Sequence, residues 1–252
     1  MINQTLDKLS SMKLRSMGKE YRRQMELPAT AALSFDERFA MMVDVEWLAK
    51  ANNRLQKLLR EANLRERAAH LEDLNYDARR NLDKATIGRL ADCDWVREGK
   101  NLIVTGATGT GKTYLTSAFG HAACRKSLKV RAYRVNRLLT DLVIGRGDGS
   151  YNRLLNDLKK PDLLILDDFG MTTLDPVACR DLLEVVDDRH GKKSTAISAQ
   201  LPVATWHDIF EDATIADAVL DRVVNNAYRI ELKGPSLRPN QNHTEGGNGR
   251  TD

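Results

Sequence analysis

Two short stretches of this chain carry residue types spaced for phosphate chemistry. Gly106-Ala107-Thr108-Gly109-Thr110-Gly111-Lys112-Thr113 matches G-x-x-x-x-G-K-[ST] at every fixed position. Glycines let backbone N–H groups turn inward around phosphate oxygens, and a helix start adds its positive end. Lys112 reaches the β/γ-phosphates, and Thr113 offers a hydroxyl to Mg²⁺. The residues expected around a nucleotide are Gly106, Thr108, Gly109, Thr110, Gly111, Lys112, Thr113 and Tyr114. The second stretch, Asp162-Leu163-Leu164-Ile165-Leu166-Asp167-Asp168, is a continuous apolar run ending in two carboxylates. Such a run reads as a strand buried on both faces of a parallel sheet, and ligands bind outside the carboxyl ends of such strands. Asp167 is then the Mg²⁺ carboxylate, and Asp168 can polarise the water that attacks a γ-phosphate. The acidic pair alone fits an ordinary turn; behind a phosphate loop that carries its Lys, its Thr and its flanking elements, it points to ATP with Mg²⁺.

The flanking elements suit that chemistry. Asn101–Thr105 is a short strand, and Tyr114–Cys124 a helix rich in Ala and Leu. Further strands are expected over 129–134, 195–199 and 227–232, with helices over 136–144, 175–190 and 215–224 between them. Asp175 as N-cap, Pro176 at the first helical position and Gly191 beyond the end bracket one of these helices. Arg146–Ser150 reads as a turn-rich loop, with Arg146 and Arg153 as candidate DNA contacts beside it. Strands alternating with helices give an open parallel sheet with helices on both faces. The loop follows the first strand and the acidic pair the third. The intervening strand at 129–134 argues against a small-molecule kinase, in which those two strands are usually neighbours. Gln200 ends the fourth strand on the γ-phosphate side.

Ahead of the sheet, Leu6, Leu9, Leu14, Met17, Tyr21 and Met25 recur at helical spacing with a soft break at Gly18. Ser34 and Glu37 form a capping box for a long second helix that could run to about Glu66. Lys13, Arg15, Lys19, Arg22 and Arg23, then Arg54, Lys57, Arg60, Arg65 and Arg67, make two basic clusters. These suit either a solvated face or sequence-tolerant duplex DNA binding. Residues 1–70 are therefore read as a small all-helical domain for DNA binding and assembly, 71–233 as the nucleotide domain and 234–252 as a disordered tail.

Bulk properties fit this division. The 252 residues are 42% hydrophobic and 29% charged, with a formal net charge of +4. The basic balance favours an anionic partner without defining a fold. There is no long apolar run and no signal-like leader, so a cytoplasmic location without a membrane partner is expected. Cys93, Cys124 and Cys179 lack metal or disulfide spacing and read as packing residues.

The segments GATGTGKT, DLLILDDFG, RGDGSY, QLPVATWHD and ADAVLDRVVNNAYRIELKG together resemble the IstB family of insertion-sequence helper ATPases, relatives of DnaC-type helicase loaders within the AAA+ class. The resemblance covers roughly 71–234, and the basic N-terminal helices resemble that family's DNA-binding region. It implies a homo-oligomeric ATPase, with ATP held between subunits, that assembles on duplex DNA, deforms it and delivers it to a partner transposase. It also implies sensor 1 at Gln200, with Ser198 the alternative, and an arginine finger at Arg222. Asp168 stands where many relatives carry a longer Glu, so slow hydrolysis is expected. No full helical lid domain is expected after the last strand. A replicative helicase loader and a nucleotide-gated structural DNA binder are the alternatives beside the kinase.

Overall fold

The computed structural model describes residues 2–237. The chain divides between Arg60 and Glu61 into two compact units. Most of the tail expected over 234–252 lies outside the described residues.

The N-terminal unit is helical: α1 (Ile2–Ser11), α2 (Arg15–Glu26) and α3 (Phe35–Ala62). The single helix expected over 6–25 is two. The break falls at Lys13, whose φ of 60° is left-handed, and not at Gly18. Gly18 lies inside α2, where a Cβ would touch Leu6 and Leu9 of α1 at 3.7 Å, so its small size serves helix packing. No local side chain caps α2. The buried Glu46 of α3 does so instead, accepting from Ser16 N at 2.9 Å and Met17 N at 3.0 Å. A carboxylate there satisfies two orphan donors and meets the positive end of the helix. The capping box forms as expected, with Ser34 N donating to Glu37 Oε2 at 2.7 Å and Glu37 N to Ser34 Oγ at 3.3 Å. However, α3 stops at Ala62, because Asn63 takes a left-handed φ of 52°, a conformation Asn tolerates at a helix end. Arg65 is thus not on the helix face to which its spacing assigned it.

The second unit continues with α4 (Lys84–Ala91), α5 (Asp94–Arg97), β1 (Asn101–Gly106), α6 (Lys112–Arg125), β2 (Val130–Arg134), α7 (Val135–Asp148), α8 (Tyr151–Lys159), β3 (Leu163–Phe169), α9 (Pro176–Arg189), β4 (Ser194–Ala199), α10 (Ala213–Val224) and β5 (Ala227–Leu232). All five strands are parallel, in the order β2-β3-β4-β1-β5. The strand that separates the loop strand β1 from the acidic strand β3 is therefore β4, whereas β2 is an edge. Sequence spacing gives chain order, and a crossover reorders it in space. It is β4, rather than β2, that sets this sheet apart from a kinase-like one.

Alternation along the strands divides the core. Ile103, Leu164, Leu166 and Ile197 face α7 to α10, joined by the fully buried Phe169 and Trp206, whose ring centroids are 4.6 Å apart. On the other face Ile165 meets α6 so closely that a Cβ on Gly120 would lie 2.9 Å from its Cδ1. The three cysteines are buried and free, and burial pushes the Cys124 thiol up to about 12.

The loop expected over 146–150 is mostly helix. α7 runs through Asp148 and stops at Gly149, whose φ is 80°, and α8 follows. Arg146 lies over the Tyr151 ring at 4.0 Å and pairs with Asp181, which is fully buried on α9. The Tyr151 hydroxyl donates to the same carboxylate at 2.8 Å. An ion pair buried at one end won over the turn chemistry of Gly147, Asp148 and Gly149.

Candidate nucleotide site

The phosphate loop joins β1 to α6 at the carboxyl edge of the sheet. Gly106 has φ 148°, and a Cβ there would sit 2.3 Å from Leu232 O of β5, so only glycine fits. At Gly109, φ 82°, a Cβ would fall 2.1 Å from Ser236 Oγ, because residues 236–237 cross the loop and Leu237 N donates to Gly109 O at 2.9 Å. Thr110 is buried. Its hydroxyl donates to Ala107 O at 2.8 Å, and its carbonyl accepts from Arg80 Nη2 at 3.0 Å. Gly111 caps α6, whose N-terminus supplies the positive end that a phosphate needs. The Lys112 ammonium donates to Ala107 O at 2.8 Å.

Opposite the loop stand the carboxylates of β3. Asp167 is 4% exposed. It accepts from the Thr113 hydroxyl, 3.1 Å from each of its oxygens, from the Ser198 hydroxyl of β4, and from Arg65 Nη1 at 2.7 Å. Consecutive strand residues normally point to opposite faces. Here the β3–β4 register shifts between Leu166 and Phe169, and Asp168 takes a left-handed φ of 61°. That bulge turns both carboxylates toward one cation, with Arg65 Nη1 also 2.8 Å from Asp168 Oδ2. A non-glycine residue held in this conformation stores backbone strain of about 1 kcal/mol or more, a cost typical of functional positions. Asp168 N also donates to Ser198 Oγ at 3.3 Å. Gln200 reaches across to the loop, its Oε1 accepting from Thr108 Oγ1 at 2.9 Å.

These contacts assign separate roles to the two candidates for the sensor position. Ser198 holds the carboxylate end of β3, whereas Gln200 touches the phosphate loop. Thr113 and Asp167 also fit Mg²⁺: both supply hard oxygens, and they already lie within hydrogen-bond distance of one another.

Other expected residues lie elsewhere. The Tyr114 hydroxyl accepts from His70 N at 3.4 Å, so it anchors the preceding segment. Arg222, on α10, donates from Nε to Asp187 Oδ1 at 2.6 Å and from Nη1 to Ala218 O at 2.8 Å. It lines a cavity of about 390 Å³ with Arg180, Leu183, Glu184, Asp187 and Asp188. Its carbonyl accepts from Asn101 Nδ2 at 3.1 Å, at the start of β1 and so at the opposite edge of the sheet from the loop. Arg153 is exposed on α8. In the N-terminal unit, Arg15, Lys19, Arg22 and Arg23 line a groove of about 350 Å³ between α1 and α2. Arg23 is paired with Glu20 at 2.7 Å. Lys13 is exposed at the α1–α2 turn, and Arg54 and Lys57 are exposed on α3.

Residues 7–245 match the family of IstB-like ATP binding proteins. The chain belongs to that family. An insertion-sequence ATP-binding protein of Sinorhizobium fredii is 44% identical over 94% of this chain and 96% of its own length. A second, from Pseudomonas fluorescens, is 44% identical over 81% of this chain and 89% of its own. Among solved structures, DnaI superposes with a TM-score of 0.57 at 24% identity, covering 71% of this chain and 94% of that one. The DnaC helicase loader gives 0.52 at 19% identity, covering 66% and 97%. The fold is thus of the AAA+ type shared with helicase loaders, and the IstB membership rests on the sequence.

Sequence reading missed Arg65 and Arg80. Arg65 reads as one member of a basic cluster and Arg80 follows Arg79, and nothing local marks a cation that pairs with a carboxylate or carbonyl far along the chain.

Proposed function

We infer that this IstB-family chain is an Mg²⁺-dependent ATPase of DNA transposition. With ATP bound it assembles on duplex DNA with little sequence preference, remodels it and presents it to a partner transposase. The observation that carries the reading is the convergence of Thr113, Asp167, Ser198 and Gln200 around the phosphate loop in a chain whose relatives are insertion-sequence ATP-binding proteins.

The residues divide the work. The loop N–H groups and Lys112 hold the phosphates, while Thr113 and Asp167 hold Mg²⁺, which neutralises charge developing on them. Asp168 takes a proton toward its carboxylate as water attacks the γ-phosphate. Gln200, in contact with the loop through Thr108, registers whether that phosphate is present. Arg222 is offered to the site of a neighbouring subunit.

Asp168→Asn tests the hydrolytic half of this scheme. The amide keeps the shape but cannot accept the proton, so turnover is expected to fall by about 10²–10⁴-fold. ATP-dependent assembly on duplex DNA, followed by light scattering or sedimentation, should persist in this variant. Normal turnover would remove Asp168 as the base, and a wild-type protein that ignores both ATP and duplex would remove the whole reading.

The groove between α1 and α2 supplies the DNA test. Replacing Arg15, Lys19 and Arg22 by Ala should weaken duplex binding for all sequences. The slope of log K against log[salt] should become shallower by roughly 0.9 for each phosphate that is no longer neutralised. An unchanged slope would make that face merely solvated.

A further inference from the structure

Mg²⁺ is not the first cation available to the acidic pair. Arg65 Nη1 stands 2.7 Å from Asp167 Oδ2 and 2.8 Å from Asp168 Oδ2, and that Asp167 oxygen is also 3.1 Å from the Thr113 hydroxyl. One guanidinium nitrogen therefore covers lone pairs of the carboxylate expected to face Mg²⁺. Its placement is built into the fold. On one side Leu64 is buried against α6, where a Cβ on Gly120 would lie 2.7 Å from its Cδ2, and on the other Glu66 N donates to Ser117 Oγ at 3.4 Å. Burial opposes the charge on Arg65, yet its hydrogen bond to Asp167 and the two carboxylate charges prevail and raise its pKa. Beside it opens a cavity of about 390 Å³, lined by Asn63, Arg134 and Arg137 among others, with room for a displaced side chain. Arg134 Nε lies 3.6 Å from Asp168 Oδ2, so a second cation is ready to keep Asp168 company once Arg65 leaves.

We propose that Arg65 is an intramolecular competitor of Mg²⁺: it neutralises Asp167 and Asp168 before the metal nucleotide arrives, and must leave them for it to seat. The inference rests on the ATPase reading above and adds a gate to it. A lone pair directed at a guanidinium N–H cannot also serve the metal's coordination shell, so the ion pair lowers the affinity for Mg·ATP. It has the opposite bearing on metal-free ATP. Without Arg65, Asp167 would face the γ-phosphate uncompensated and Asp168 would keep only Arg134.

The test compares Arg65→Ala with wild type by the anisotropy of a fluorescent ATP analogue, once with excess Mg²⁺ and once with EDTA. The expected result is a Kd ratio, EDTA over Mg²⁺, that rises about tenfold or more, a change of ~1.4 kcal/mol. Arg65→Lys, which keeps a cation but not the planar fork, should fall between the two. It also serves as the folded comparison if the Ala variant is unstable. A ratio unchanged in both variants, with or without a lower Tm, would make Arg65 a structural ion pair and overturn the proposal. Equal weakening with and without Mg²⁺ would overturn it differently, making Arg65 a phosphate ligand. If wild type itself shows no Mg²⁺-dependent nucleotide binding, the ATPase reading fails before Arg65 is tested.

Discussion

Arg222→Ala is expected to lower ATP turnover by about a thousandfold or more, the range found for arginine fingers, while nucleotide affinity stays close to wild type. The separation follows from where Arg222 sits. Its carbonyl is bonded to Asn101 at the first residue of β1, and the phosphate loop begins at Gly106, the last. Successive strand residues rise about 3.4 Å, so the two lie on the order of 17 Å apart along the strand, beyond the reach of an arginine side chain. Arg222 therefore cannot complete the site of its own subunit. Its present partner does not hold it strongly. Asp187 is 59% exposed at the side chain, and a solvated pair of this kind contributes about 1 kcal/mol or less. In the proposed assembly, a developing negative charge on a γ-phosphate at a partly dehydrated interface would outweigh that pairing. Unchanged turnover in assembled protein would return Arg222 to an ordinary helix-surface role with Asp187.

The two halves of the site differed in how far they could be read from sequence. The loop and the acidic strand are legible because both work through consecutive residues whose types are dictated locally. Glycines appear where a Cβ would collide, as at Gly106 against Leu232 O, and a run of apolar residues marks a strand covered on both faces. The strands were legible for the same reason, and so were the helix starts at Ser34 in the N-terminal unit and Asp175 beside the sheet. What escaped depends on pairs brought together only by the fold. Arg65 looked like one more cation in a basic helix until Asn63 ended that helix, and its partners are more than a hundred residues away. Arg146 looked free beside a glycine-rich turn, yet Asp181 is a buried carboxylate that required a partner. Strand order also escaped, since a parallel crossover places β4 between β1 and β3 without any local sign. Local spacing thus marked the loop and the carboxylates expected to serve a nucleotide. The charges around them were set by pairings between distant segments.

Lys112→Ala should weaken nucleotide binding by roughly 10- to 100-fold. Charge-assisted hydrogen bonds are worth about 1.5–3 kcal/mol, and each 1.4 kcal/mol is a factor of ten. The nucleotide-free fold should tolerate the change. The Lys112 ammonium donates to Ala107 O at 2.8 Å, and Ala107 is exposed, so water replaces the missing donor and Tm should move little. A fluorescent ATP analogue measures the affinity, and an unchanged Kd would sink the loop assignment. Mixing this variant with Arg222→Ala then asks whether the site is shared. An Arg222→Ala subunit still binds ATP but offers no arginine. A Lys112→Ala subunit binds ATP poorly but keeps Arg222. In a head-to-tail ring, an interface pairing the nucleotide of the first with the arginine of the second has every part. Each variant alone should be nearly inactive, whereas random mixing makes about one interface in four complete and should restore a comparable fraction of turnover. Recovery on mixing is possible only if nucleotide and arginine come from different chains. No recovery, in mixtures shown to co-assemble, would mean that Arg222 is not an arginine finger.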